Sequence, residues 1–329
     1  MDVPQSNPAD YSASFKECPA ESECLVVPVE CAGLRLDQTL ARLLPQHSRS
    51  RLQTWLREGR IVVEGVAGAD AKHKVWGGEK IRVAAVADPR ANPYAAEEIA
   101  LTVVYEDADL LVIDKPAGLV VHPGSGNWQG TLLNALLHRA PELAEIPRAG
   151  IVHRLDKETS GLLVVARTPT AQTDLVRQLQ ARSVKREYLA LVHGVVAAAG
   201  SVDAPIGRHP THRTKMAVVA AHAGKGKDAR THYAVRERFA AATLLECRLE
   251  TGRTHQIRVH MAAIKHPLVG DPVYGKRGGA VPLFAAFPRQ ALHAWRLALQ
   301  HPRSHAEMHW ESPLPDDFAA LLTALRGHS

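Results

Sequence analysis

A chain of 329 residues, 46% hydrophobic and 22% charged, has the makeup of a globular protein with one or two domains and a sizeable core. Forty Lys and Arg against 34 Asp and Glu leave a net charge of +6. That surplus fits a polyanionic partner. No apolar stretch approaches the ~20 residues of a membrane span, so an integral membrane protein is excluded. The start, Met1 to Phe15, is polar and lacks an apolar signal core, which points to the cytoplasm.

Residues 1–30 are rich in Pro, Ser, Ala and acids and read as a disordered tail. From Arg35 the pattern turns helical, with Leu36, Leu40, Leu43 and Leu44 at helix spacing and Pro45 as the stop. A second amphipathic helix runs from Ser50 and ends at Gly59, with Leu52, Trp55 and Leu56 on one side. Ile61–Val63 and Ile81–Val83 read as strands, and Gly77-Gly78 turns the chain between them. This unit, residues 31–87, is crowded with arginine. Arg49, Arg51, Arg57 and Arg60 form a local, one-signed cluster suited to phosphate contact. Residues 88–98 read as a linker.

Residues 99–329 read as one large domain. Leu110–Ile113 is a buried strand, and Thr131 can cap a helix that runs through His138. Leu162–Ala166 is a short apolar strand opened by Gly161. Thr168 and Pro169 open a further helix carrying Leu175, Val176 and Leu179. Tyr188–Val192 and Thr243–Leu249 are strands. A helix follows with Thr254 as its N-cap and Ile257, Met261 and Ile264 on its apolar side. The segment 208–216, with Arg208 and Arg213, reads as a basic loop along RNA, and Gly224–Lys227 as a mobile stretch. Residues 276–287 read as a surface loop. Strands and helices mix too irregularly for a doubly wound sheet, so the class is α+β with a mixed, mostly antiparallel sheet.

The four cysteines fit no zinc or redox spacing and read as free thiols. The 18 histidines show no metal-ligand pattern. One loop carries a candidate reactive acid. In His153-Arg154-Leu155-Asp156-Lys157 a carboxylate sits among bases, just ahead of the buried strand. A lone Asp there would ordinarily cap a turn or pair with Arg154 or Lys157. A hydrolase using Asp156 with Glu158 is disfavoured, because adjacent acids in one loop do not flank a sugar at the needed separation.

Four blocks in order change that reading: residues 151–166, 184–194 (Val-Lys-Arg-Glu-Tyr-Leu-Ala-Leu-Val-His-Gly), 249–261 (containing Thr-His-Gln-Ile-Arg) and 266–275 (His-Pro-Leu-Val-Gly-Asp-Pro-Val-Tyr-Gly). Together they resemble the D/A branch of the RNA pseudouridine synthases, over about Leu34 to Phe318. Residues 35–61 resemble the S4 RNA-binding domain that precedes the catalytic domain in the D-type members. The resemblance implies the pseudouridine synthase fold, a long bent sheet with flanking helices and a central cleft. It implies Asp156 as the catalytic residue, acting as nucleophile or as base toward a sugar proton. It further implies Tyr188 stacked on the target base, and Arg258 in a salt bridge that orients Asp156. Arg154 either helps displace the target nucleotide or contacts phosphate, and Lys185, Arg186 and Arg253 join it as RNA contacts.

The implied reaction is uridine to pseudouridine, which needs no cofactor and no metal. The implied partner is 23S rRNA or the assembling large ribosomal subunit, the target the helix 69 stem-loop, and the enzyme a monomer. Other 23S uridines, or a non-catalytic assembly role, are the alternatives. The longer tail with its cysteines and the shorter segment 276–287 depart from the family pattern.

Overall fold

The structure, a computed structural model, describes residues 22–327 except 46, 65, 67–69, 85–91, 93, 125, 213, 220–225 and 276–280. The chain divides between Asp88 and Pro89 into two compact units.

In the first unit β1 (Ser22–Val26), β2 (Ile61–Val63) and β3 (Lys80–Ala84) form an antiparallel sheet in the order β1-β3-β2. Helices α1 (Leu36–Leu43) and α2 (Arg49–Arg57) bury Leu36, Leu40, Leu52, Trp55 and Leu56 against Ile81 and Val83. Gly59 follows α2 with φ +68, a backbone state that glycine adopts without strain. The expected tail needs correcting, because its end forms β1. Five residues give too little periodicity to read alone, and pairing with β3 is what makes them a strand. Residues 1–21 lie outside the described ones. A second correction concerns the thiols: Cys31 and Cys247 are free and buried, whereas Cys24 is disulfide-bonded. Spatial proximity of this kind cannot be read from cysteine spacing.

Asp37 ties the two helices together. Its fully buried carboxylate takes Arg35, Arg49 (2.7 Å to Nη2) and Gln53 (3.0 Å to Nε2). Burial alone would raise the pKa of this acid, but these partners hold it below the usual carboxylate range.

The second unit is built on a sheet with strand order β4-β5-β6-β13-β7-β12-β11-β8, with β14 also paired to β13. Its strands are β4 (Thr102–Glu106), β5 (Leu110–Lys115), β6 (Ser160–Ala166), β7 (Lys185–His193), β8 (Gly200–Asp203), β11 (Arg230–Arg238), β12 (Ala242–Leu249), β13 (Leu292–Gln300) and β14 (Glu307–Glu311). Every pairing is antiparallel except β6 with β13. A small hairpin, β9 (Ile206–Arg208) with β10 (Met216–Val218), brackets the segment read as a basic loop, and the described residues between its strands carry no regular structure. Arg213 and residues 224–225 lie outside the described residues.

All seven residues of β6 are buried. Leu163 and Val165 face one core with Leu132, Leu133 and Leu136 of α3 (Leu132–Arg139). Leu162, Val164 and Ala166 face another with Ala171 and Leu175 of α4 (Pro169–Gln180). Each full Leu or Val burial contributes about 1.5–3 kcal/mol, so β6 is an anchored base. The caps are local: Thr131 accepts from the Asn134 amide, and Thr168 from the Ala171 amide at 3.1 Å. Helix α7 (Asp316–Arg326) packs Phe318 and Leu322 on Leu191 and Trp295.

Two more expectations shift. Residues 95–98, read as linker, are docked: the Ala95 carbonyl takes Asn134 Nδ2 at 2.7 Å, and Glu97 takes the Gly130 amide. Of the expected surface loop, residues 282–286 form α6 (Pro282–Ala286), with Phe284 and Phe287 buried; residues 276–280 lie outside the described ones. The apolar side chains Leu283, Phe284 and Phe287 close one edge of a core, which their spacing alone did not reveal.

Gly161 opens β6 with φ +110, and a Cβ there would overlap the Ala294 backbone of β13. Gly161→Ala is expected to cost about 2 kcal/mol or more, lowering Tm by roughly 4–8 °C. Thermal melting followed by circular dichroism checks this; a Tm within a degree of wild type contradicts it.

Candidate active site

Asp156 lies in the turn that feeds β6, and its carbonyl accepts the Thr159 amide at 3.0 Å. Leu155 before it is buried in the main core. The carbonyl of Lys157 after it is held twice, by the Gly118 amide at 2.9 Å and by Lys115 Nζ at 3.0 Å. Lys115, fully buried at the end of β5, also donates to the carbonyls of Pro116 (2.7 Å) and Leu119 (3.0 Å). Burial pushes this ammonium down to about 7, opposed by Glu158 and Asp156. Three carbonyl acceptors match the three protons of the charged form, so we assign it as the ammonium. Nothing in the sequence marked Lys115 for this role.

Arg258 approaches from α5 (Gln256–Ala263) and is only 4% exposed. Its Nη1 donates to Asp156 Oδ2 at 3.0 Å. The other edge of the guanidinium makes a two-point contact with Asp271, Nε to Oδ2 at 2.7 Å and Nη2 to Oδ1 at 2.9 Å. The Asp271 carboxylate also takes the amides of Val273 (2.8 Å) and Tyr274 (3.0 Å). Burial works against the charge on both partners. Their mutual hydrogen bonds nonetheless hold Asp271 below the carboxylate range and Arg258 above its own. The Arg258 guanidinium also lies over the Tyr274 ring, 5.1 Å from its centroid.

The start of α5 differs from expectation. The residue before the helix is His255, in the left-handed region (φ 58, ψ 24), and not Thr254. The side chain of Gln256 does the local tying: its Oε1 accepts the Arg253 amide and the Thr251 hydroxyl, and its Nε2 donates to the Arg230 carbonyl. A folded-back side chain of this kind leaves no spacing signal. His255 Nδ1 meets the Tyr274 hydroxyl at 2.9 Å, and its Nε2 lies 3.8 Å from Asp156 Oδ1. Asp271, His255 and Tyr274 fell inside the quoted blocks without any role attached. The Asp271-Pro272 pair, which favours a turn, is the local signal that could have drawn attention to Asp271.

Tyr188 and Arg186 lie two apart on β7 and so share a face. Tyr188 is buried, which raises its phenol, and the Asp156 charge adds to this. Arg186 is buried beside Gly252, and among the described residues its Nε has no hydrogen-bond partner. His153 accepts the Val164 amide at 3.1 Å, and burial with the Arg186 cation pushes it down to about 3. That ring is a neutral structural acceptor.

The remaining expected RNA contacts are scattered. Arg154, Lys185 and Arg208 are exposed. Arg253 is half-buried and donates to the Asp228 carbonyl at 2.9 Å. In the first unit Arg49 is engaged by Asp37 and Arg60 by Glu58 at 2.6 Å. Arg51 lies over Trp55, and Arg57 is exposed, with only neutral acceptors, Gln53 and Thr54, among the described residues. Asp107, Asp109 and His301 sit close enough together to suggest a metal site. Their oxygens are already taken by Tyr105, two backbone amides and a two-point contact from Arg303, which fits an ion-pair cluster better.

Comparisons with known proteins bear on this arrangement. Residues 109–263 match the family described as RNA pseudouridylate synthase, and residues 34–81 match the S4 domain. The chain is 62% identical over 305 residues to ribosomal large subunit pseudouridine synthase D of Nitrosomonas europaea, covering 92% of this chain and 87% of that protein. It is 54% identical to the protein of the same name from Pseudomonas aeruginosa, covering 91% and 94%. Among solved structures, human RNA pseudouridylate synthase domain containing 1 superposes with a TM-score of 0.53 at 27% identity, covering 70% of this chain and 96% of that one. With this degree of likeness along nearly its whole length, the chain belongs to the RNA pseudouridine synthases, isomerases that convert uridine to pseudouridine in RNA.

Proposed function

We propose that this enzyme modifies uridines of 23S rRNA in the large ribosomal subunit, with the helix 69 stem-loop as its target and Asp156 as the catalytic residue. Its relatives from Nitrosomonas europaea and Pseudomonas aeruginosa are named for the large ribosomal subunit, and the D-type resemblance in the sequence supports the helix. The observation that carries the catalytic reading is the asymmetric hold on Asp156. Oδ2 is fixed by a buried cation at 3.0 Å, while the side chain keeps 17% of its surface exposed. A carboxylate oriented in this way can attack C1′ or take a sugar proton.

The N1–C1′ bond breaks, the uracil turns, a C5–C1′ bond forms, and the C5 hydrogen leaves. Tyr188 supplies an aromatic wall against which the loosened base is retained. Arg154, exposed two residues before Asp156, suits contact with the displaced nucleotide. Arg186 shares the Tyr188 face of β7, whereas Lys185, three residues from Tyr188, projects from the other face. In the first unit Arg57 is the residue best suited to phosphate, since acids already engage Arg49 and Arg60.

Tritium release from 23S rRNA labelled at uracil C5 tests the reading. Wild type is expected to release it. Asp156→Asn is expected to release at least about a thousandfold more slowly, with RNA affinity within about tenfold because phosphate contacts dominate binding. Equal release, or loss of binding together with release, contradicts the role. Deleting residues 1–87 is expected to weaken RNA binding about tenfold or more and to flatten its salt dependence. A truncated protein that binds and modifies rRNA like the whole would show that the first unit does not recruit substrate.

A further inference from the structure

The two oxygens of Asp156 have different neighbours. Oδ2 accepts Nη1 of Arg258. Among the described residues no donor reaches Oδ1 within hydrogen-bond distance, and His255 Nε2 stands 3.8 Å away. The His255 backbone is left-handed, which costs a residue with a Cβ about 1–2 kcal/mol. Something must fix the ring in that position, and Tyr274 does so. The Tyr274 oxygen accepts the Met216 amide at 2.9 Å and lies 2.9 Å from His255 Nδ1. A phenol has a single proton. If that proton goes to Nδ1, Tyr274 and the ring are both satisfied by the partners present. The ring's own proton is then on Nε2, on the side of Asp156. The ring is 22% exposed, so this edge is not sealed away from substrate.

We propose that His255 is a positioning residue for Asp156: a neutral ring, locked in the Nε2–H tautomer by Tyr274, whose N–H closes on Oδ1 when RNA fills the site. The carboxylate is then held at both oxygens, by a cation at one and a neutral donor at the other, and its angle toward C1′ is set. A neutral donor at Oδ1 orients the acid without adding a second full charge beside it. The charged groups facing the ring are Asp156 and Arg154 from the catalytic loop, Arg258 from α5 and Asp271 from the loop after it. Burial and the two arginines lower the imidazole and the two acids oppose them, with lowering the net result. This inference deepens the Asp156 reading and rests on it.

The competing account makes His255 a mere clip that joins α5 to β10 through Tyr274. Two amides separate the accounts, since an Asn amide reaches the Nδ1 position and a Gln amide the Nε2 position. His255→Asn keeps a partner for Tyr274, tolerates the left-handed backbone, and loses the donor to Oδ1. His255→Gln loses the clip and restores the donor. Single-turnover pseudouridine formation, RNA Kd and Tm are measured for both, with Asp156→Asn alongside. Positioning predicts His255→Asn about a hundredfold slower at unchanged Kd and Tm, and His255→Gln within about tenfold of wild type. A clip predicts the reverse order. His255→Asn at full rate, or equal loss in both variants, overturns the proposal. Should His255→Gln melt below the assay temperature, Tyr274→Phe decides. Releasing the tautomer is expected to slow turnover several-fold at unchanged Kd, and an unchanged rate overturns the proposal. An active Asp156→Asn would instead bring down the catalytic reading itself.

Discussion

One buried guanidinium shared between two carboxylates organises the catalytic unit. Arg258 is almost fully enclosed, and taking such a charge out of water costs several kcal/mol unless partners compensate. Asp271 compensates with two matched hydrogen bonds, and two backbone amides hold Asp271 in turn. That leaves Nη1 to meet Asp156 in a direction already fixed. The pair Arg258–Asp271 is therefore a rigid platform for Asp156. Asp271 and Asp156 thus share one guanidinium, which holds only one of the two Asp156 oxygens.

The platform would achieve little on a soft scaffold. Asp156 is carried by a turn whose ends are fixed, with Leu155 and β6 in the core and the Lys157 carbonyl held by Lys115. The buried lysine ties the Asp156 turn to the loop after β5, two segments 42 residues apart in sequence. Gly161 lets the β13 backbone at Ala294 run close alongside the start of β6. Backbone rigidity, more than the acidity of any one group, is what this fold supplies to its site.

Much of this was legible in the residues, for local reasons. The Thr131 cap and the Leu spacing placed α3, and the apolar run after Gly161 placed β6, because both signals are contained within about ten residues. Asp156 stood out through a long motif. What escaped depends on partners distant in sequence. Asp271 gains meaning only through Arg258, and Lys115 only through three carbonyls from two loops. Strand β1 exists because β3 is there to pair with it. Arg49 read as a free cation until the fold brought it to Asp37, 12 residues away. Charge clusters in a sequence overstate the phosphate contacts available, since some of those charges are already answered within the protein.

The claim that Asp271 holds Arg258 in place for Asp156 is tested most directly by Asp271→Asn. This change keeps the side chain's shape and removes its charge. At a temperature where circular dichroism shows the fold intact, the account predicts single-turnover pseudouridine formation slower by about a hundredfold, from a misdirected Arg258, with RNA Kd within a few-fold. A wild-type rate in that variant would contradict it, and would mean that Arg258 and Asp156 hold their geometry without the buried partner.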